Sequence, residues 1–167
     1  MKKIILFIFL LFCLYLSACT NKRIDFKVSY DYMSVFGHKK VDGKYHFFSD
    51  AYINSREKLI SLCDEWNNES FNSDDNDYQS DLSTLLRLYN DEYFKLNDLV
   101  IIEFETGQGI YTKIRSIKVE EDKLIVNINQ KQRNGIWTTE AFRWLMIVEI
   151  PKDSTKDVTE LVVNFKK

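Results

Sequence analysis

From Leu99 onward, the apolar residues of this chain follow the two-residue period of β-strands. The run over residues 100–104 is nearly continuous in apolar character, which is typical of a strand covered on both faces. Short connections separate it from further strand-like runs over residues 110–119, 124–130, 142–150 and 160–165. We therefore expect four or five consecutive antiparallel strands, in which the first two form a hairpin and the last lies at an edge.

Two helices are predicted ahead of these strands. Ser55 or Asn54 can cap a helix on which Leu59, Leu62, Cys63 and Trp66 share one face. A second helix is expected from residue 80 or 81 to residue 90. The connection between them, residues 67–77, is rich in Asn, Ser and Asp and is predicted to be a solvated loop.

The region before the first helix contains two shorter strand-like runs. They cover residues 24–30 and 44–48, and an irregular connection is expected over residues 31–42. In the second run, Tyr45, Phe47 and Phe48 are expected to be buried. Whether these runs join the main sheet is left open by the sequence. The order of elements predicts an α+β fold, with an antiparallel, mostly meandering sheet and two helices packed on one face or end.

The N-terminus has the pattern of a bacterial lipoprotein signal. Lys2 and Lys3 precede an uncharged apolar run that is far shorter than the ~20 residues needed to span a bilayer. Small residues then lead to Cys19, whose thiol can carry a diacylglyceryl group. We expect a signal peptide over residues 1–18, a short tether over 19–23 and one α+β domain over 24–167, held by lipid at the extracytoplasmic face of the cell membrane. The alternatives are an ordinary secretory signal or a buried N-terminal helix.

Charge and cysteine content limit the function of the predicted domain. Removal of the signal would change the formal net charge from −2 to −4, because it takes away two lysines and no acids. No basic patch is visible, which argues against nucleic-acid binding. Cys63 would be the one thiol left in the folded body, so no intramolecular disulfide is possible, and we expect it to be a core residue.

No motif in the chain is specific for catalysis, a cofactor or a metal. His38 and His46 lack a serine or cysteine in a nucleophile context. Glu103 and Glu105 share a strand face, but we expect them to be solvated or paired with lysine rather than to form a glycosidase pair. Residues 75–79 loosely follow the spacing of calcium ligands, yet the glycine and the distal glutamate of such a loop are missing. We therefore expect no enzyme activity.

The stretch over residues 55–165 resembles the C-terminal domain of PrcB-type protease-complex lipoproteins, and more closely uncharacterised lipoproteins of clostridial-type bacteria. The resemblance rests on five segments, at residues 55–59, 93–102, 107–111, 114–126 and 139–151. In the family the turn before the tyrosine is commonly Gly-Gly-Tyr, whereas Tyr111 here follows Gly-Gln-Gly-Ile. The resemblance implies an accessory lipoprotein that stabilises or localises another exported protein without catalysis of its own.

Two kinds of binding protein are consistent with this sequence. In the first, a sheet edge or an exposed aromatic patch binds a protein partner, and Tyr111, Arg133, Trp137 and Arg143 are the candidate contacts because interface hot spots favour Tyr, Trp and Arg. In the second, an aromatic cleft holds a small molecule or a cell-wall sugar. A deep pocket lined by Tyr and Trp would favour a ligand, whereas a flat or edge-exposed sheet would favour a partner.

Overall fold

The computed structural model describes residues 23–33, 36, 38–66, 81–137 and 140–167. The predicted signal, Cys19, the residues 20–22 of the tether and the acidic stretch at 67–80 lie outside them. The strands are β1 (Lys27–Met33), β2 (His38–Val41), β3 (Lys44–Phe47), β4 (Asp50–Ile53), β5 (Asn97–Gly107), β6 (Ile110–Glu120), β7 (Lys123–Gln132), β8 (Ala141–Pro151) and β9 (Glu160–Lys166). The helices are α1 (Arg56–Glu65), α2 (Asp81–Leu88) and α3 (Asp91–Leu96), and a 3₁₀ turn covers Lys152–Ser154.

The strands form two principal sheets. A four-stranded antiparallel sheet has the order β1-β8-β5-β4, and a three-stranded sheet has the order β6-β7-β9. In the second sheet β9 runs parallel to β7. The strands β2 and β3 form a separate hairpin, whose turn residues Asp42 and Gly43 both have positive φ. The α+β fold predicted from the sequence is confirmed.

Alternation along β5 and β8 explains the layering. Leu99 and Ile101 of β5 belong to one core cluster, together with Leu59, Cys63 and other side chains from the helices. Val100 and Ile102 belong to a second cluster, together with residues of the three-stranded sheet. Because successive side chains of a strand point to opposite faces, the four-stranded sheet is the middle layer, with helices on one face and the second sheet on the other.

Two helices begin at caps that can be recognised in the sequence. The Ser55 side chain accepts a hydrogen bond from the Lys58 amide at 3.2 Å, which confirms the predicted cap of α1. The apolar face of α1 buries Leu59 and Cys63 completely. The predicted second helix is confirmed as α2, which ends two residues earlier than expected. The sequence did not predict α3, which begins after Asn90, where the Asn90 side chain accepts a hydrogen bond from the Tyr93 amide at 3.0 Å.

Several expectations about the strands were wrong. The strands β5 and β6 are not a hairpin, because they belong to different sheets. β9 lies at an edge as expected but is parallel to its neighbour. The first strand extends to Met33, and β2 occupies part of the expected irregular connection.

The N-terminal strands divide between sheets. Strands β1 and β4 form the two edges of the four-stranded sheet, whereas β2 and β3 remain apart from it. Of the aromatic residues expected to be buried there, Phe48 is buried, but Tyr45 and Phe47 are 60% and 53% exposed. Because the hairpin is paired with neither principal sheet, Tyr45 and Phe47 keep about half of their surface in solvent, although the Phe47 ring packs against the Arg143 side chain. Among the described residues, no helix has the length and apolar character needed to cross a membrane.

Candidate functional site

A half-open cleft of about 390 Å³ lies at the end of the molecule where β5 passes into β6. Its apolar walls are aromatic: Phe104 from β5, Tyr111 from β6, Trp144 from β8, and Trp137 from the connection between β7 and β8, with Ile110 beside them. Its polar groups are Thr106, Gln108, Thr112 and Arg133. The cleft therefore combines broad ring surfaces with a small number of hydrogen-bonding groups, as ligand and peptide sites commonly do.

The cleft exists because the chain changes sheets at this point. The turn at Gln108 and Gly109 carries it from the four-stranded to the three-stranded sheet, and the residues after β7 return it to β8. The Arg133 amide donates to the Gly109 carbonyl at 2.7 Å and thereby ties the two connections together. The indole N–H of Trp144 donates to the Thr106 carbonyl at 3.3 Å, which fixes the ring on one wall.

Gly109 allows Trp137 to lie against the turn. A Cβ at position 109 would stand 2.7 to 2.9 Å from three atoms of Trp137, closer than real contacts allow. Only a residue without a side chain permits this packing. Trp137 is nevertheless 40% exposed and Tyr111 is 47% exposed, so both rings present a face to solvent at the mouth of the cleft.

Arg133 lies between these two rings. Its guanidinium carbon is 5.7 Å from the ring centroid of Tyr111 and 5.7 Å from that of Trp137. Both distances are within the range of cation–π attraction. The cleft thus brings together three of the four residues predicted as partner contacts.

Arg143, the fourth predicted contact, lies outside the cleft. It forms an ion pair with the buried carboxylate of Glu103, donates to the Phe48 carbonyl at 3.2 Å, and lies over the Phe47 ring at 4.0 Å. Burial lowers the pKa of its guanidinium. The alternation of β8 explains the difference, because residue 143 points to the helix-side face and Trp144 to the cleft-side face.

The same alternation could have revealed what sequence reasoning missed. Trp144 lines the cleft but was not among the predicted partner contacts. It directly follows Arg143 on β8, so the alternation of side chains predicts that the two residues point to opposite faces of the sheet. Phe104 and Thr106 alternate in the same way with Glu103 and Glu105. The expectation that this glutamate pair would be solvated or paired with lysine was wrong for Glu103, whose side chain is 1% exposed and whose partner is an arginine. Glu105 is exposed.

A second cavity, of about 380 Å³, surrounds the buried carboxylate of Asp98. Asp98 accepts hydrogen bonds from Tyr52 at 2.6 Å, from Thr155 at 2.5 Å and from Lys152 at 3.1 Å. The Lys152 ammonium also donates to the carbonyls of Asn54 and Phe94. Burial and the bond to Asp98 raise the pKa of the Tyr52 phenol above its ordinary value. Each charged group and each hydroxyl of this network has at least one hydrogen-bond partner, so we interpret the network as one that stabilises the junction of β4, β5 and the 3₁₀ turn.

Other potentially reactive groups are in structural settings. Cys63 is fully buried, as expected, and burial followed by the charge of Asp64 raises the pKa of its thiol to about 12. Such a thiol is almost entirely protonated at neutral pH and is a poor nucleophile. His46 is exposed on β3. Over the described ranges, no group of three or more His, Cys, Asp or Glu side chains is placed to hold a metal ion.

Comparison with known proteins adds no family to this description. The chain matches no protein-family model, no curated protein and no solved structure at a significant level.

Proposed function

We propose that this protein is a lipid-anchored, extracytoplasmic accessory protein that binds or stabilises another exported protein and performs no catalysis itself. The observation that carries the proposal is the cleft formed by Tyr111, Trp137 and Trp144 around Arg133. Trp, Tyr and Arg are the residues that most often dominate the energy of protein interfaces. A segment of the partner that places an apolar side chain between these rings would bury their exposed faces.

The path of the chain supports access of such a partner. Arg23 forms a β-bridge with Lys118, and the Ile24 amide donates to the Ile117 carbonyl at 3.0 Å. The chain therefore joins β6 seven residues from Tyr111, a separation of about 23 Å along a strand. If Cys19 carries lipid, the tether leaves the domain far from the cleft, which is then open to a partner outside the membrane.

The resemblance of residues 55–165 to PrcB-type lipoproteins points to the same class of function. Proteins of that kind serve as exported accessories, and the resemblance supplies the proposal that the partner is itself an exported protein. The cleft also contains residues from two of the segments that carry the resemblance, around residues 107–111 and 139–151.

A second candidate function is binding of a small molecule or a cell-wall sugar. A pocket lined by Tyr and Trp is the feature that the sequence criterion assigns to a ligand, and the volume of the cleft, about 390 Å³, is within the range of small-molecule sites. The half-open shape of the cleft and the exposure of Tyr111 and Trp137 support the partner instead. Its combination of flat aromatic rings with Gln108 and Thr106 would also suit a sugar, which presents both an apolar face and hydroxyl groups.

Site-specific photocrosslinking in cells distinguishes these candidates. A photoreactive benzoylphenylalanine would replace Tyr111 in the cleft or, as a matched control, Tyr45, which is exposed on the separate hairpin. We expect one specific exported protein to be crosslinked from position 111 and not from position 45. Identical products from both positions, or no protein product together with tight retention of a sugar or metabolite, would overturn the partner proposal.

The anchor is tested separately. Radiolabelled palmitate should enter the wild-type product and should be absent from a Cys19→Ala variant, which should also lose membrane retention. Incorporation that is unchanged in the variant would refute lipidation at Cys19.

A further inference from the structure

We infer that the cleft selects an extended peptide segment in which a carboxylate stands two residues from an aromatic or large apolar side chain, so that both point to the same face of the segment. This inference rests on the proposed function and names the chemistry of the partner segment. The carboxylate would pair with Arg133, and the apolar side chain two residues away would lie against Trp137 and Trp144.

The charge of the cleft favours an anionic group. Among the described residues that line it, Arg133 is the one charged side chain, and it forms no ion pair with a described carboxylate. The mature chain as a whole would carry a net charge of −4. Arg133 is exposed and has no described counter-charge, so an anionic ligand can pair with it, whereas a cationic ligand would find no carboxylate among the described lining residues.

The geometry around Arg133 leaves its donors available. A guanidinium that contacts aromatic faces retains N–H groups at its planar edge, and these can form two parallel bonds to a carboxylate. The backbone of Arg133 is fixed by its bond to Gly109, while its side chain is exposed. The position is thus held by the fold, although the charged group faces solvent.

A second feature of the cleft is a buried hydroxyl beside Arg133's ring partner Tyr111. The hydroxyl oxygen of Thr112, which lines the cleft, is buried and has no hydrogen-bond partner among the described residues. Buried hydroxyls in proteins nearly always have a partner, because leaving one unsatisfied is costly. To bond a backbone group of an extended segment, the Thr112 hydroxyl would have to rotate toward the cleft, because its oxygen is enclosed.

Selection from a random heptapeptide library tests this inference. The full chain, purified in detergent, would be the target, with counter-selection on the Trp137→Ala variant to retain clones that depend on the cleft. We expect enrichment of Asp or Glu two positions from Tyr, Phe or Leu. For one selected peptide, exchange of its Glu for Gln should weaken binding about tenfold or more, in line with hydrogen bonds to charged groups.

A double-mutant cycle attributes that loss to Arg133. Arg133→Gln should weaken binding of the Glu-containing peptide by a similar factor and should leave binding of the Gln-containing peptide unchanged. The matched control Arg115→Gln, at an exposed arginine on β6, should change the binding of neither peptide. The urea midpoint of Arg133→Gln should fall only slightly, because the side chain is exposed and loses only its contacts with the Tyr111 and Trp137 rings.

The outcomes separate the two proposals. Cleft-dependent peptides without acidic enrichment, or equal binding of the Glu and Gln peptides, would overturn the carboxylate inference and leave peptide binding in place. Recovery of no cleft-dependent peptide would overturn the inference. If N-acetylmuramic acid then bound in a Trp137-dependent manner, the sugar-binding candidate would also replace the proposed function.

Discussion

Replacement of Arg143 by leucine should destabilise the protein strongly, although the arginine lies at a strand surface. Its partner Glu103 has a side chain that is 1% exposed, whereas the Arg143 side chain is 24% exposed. Removing one partner of a buried ion pair leaves an uncompensated charge and costs about 3 to 5 kcal/mol. For a chain of this size, such a loss corresponds to a fall in Tm of about 6 to 20 °C.

The double variant Glu103→Leu/Arg143→Leu tests the cause. Replacement of a buried pair by apolar residues is often neutral or stabilising, so the double variant should recover most of the free energy of unfolding that Arg143→Leu loses. Urea unfolding followed by tryptophan fluorescence measures both variants, with Arg115→Leu, at an exposed arginine, as the matched control. Recovery of less than half of the loss, or a single-variant cost below about 1 kcal/mol, would refute the ion-pair argument.

This cycle also decides between two roles for Arg143. If the residue is structural, the stable double variant should bind the partner segment as wild type does. If Arg143 is a partner contact, as the sequence predicted, binding should fall even in the stable double variant.

Three further predictions follow from other sites. Gly109→Ala should displace Trp137, whose ring would lie 2.7 Å from the new Cβ, and should weaken binding of a selected peptide about tenfold with little change in the urea midpoint. Asp98→Ala should lower the free energy of unfolding by about 3 kcal/mol, because it leaves the Lys152 ammonium without its carboxylate; thermal unfolding measures this loss, and a cost below about 1 kcal/mol would contradict it. Burial raises the pKa of Tyr89 from 10.0 to about 12, so the contribution of the protonated phenol to the free energy of unfolding is fully present below pH 10 and is lost as the pH rises from 10 to 12. The variant Tyr89→Phe should therefore lose less stability than wild type over that range. Equal slopes of the free energy of unfolding against pH, measured by urea unfolding, would contradict this.

The sequence predicts best the features that depend on burial alone. The continuous apolar run in β5 indicated a strand covered on both faces, and Val100, Ile101 and Ile102 are indeed almost completely buried. The Ser55 cap and the apolar face of α1 could be predicted equally well, because capping and helical periodicity depend on residues that are close in sequence. In each case the physical cause lies within about one turn of helix or one strand.

The sequence did not predict in the same way which strands pair with each other. A two-residue period shows that a strand has two faces, but it does not identify the strand to which it is hydrogen-bonded. The short connection at Gln108 and Gly109 favoured a hairpin of β5 and β6, yet β5 pairs with β8 along its whole length from Asn97 to Gly107. β5 thereby gains an antiparallel partner that is also apolar on both faces.

The failure of the hairpin prediction and the origin of the candidate site have the same cause. Paired strands lie about 4.8 Å apart and turn their side chains to common faces, whereas packed sheets lie about 10 Å apart and turn their side chains toward each other. Phe104 of β5 approaches Phe165 of β9 across this interface, with ring centroids 5.7 Å apart. Toward the end of the molecule the turn at Gln108 and Gly109 links the two sheets, and Trp137 and Trp144 line the cleft there. A true hairpin of β5 and β6 would have placed Phe104 and Thr112 in one sheet, and no cleft would form between them.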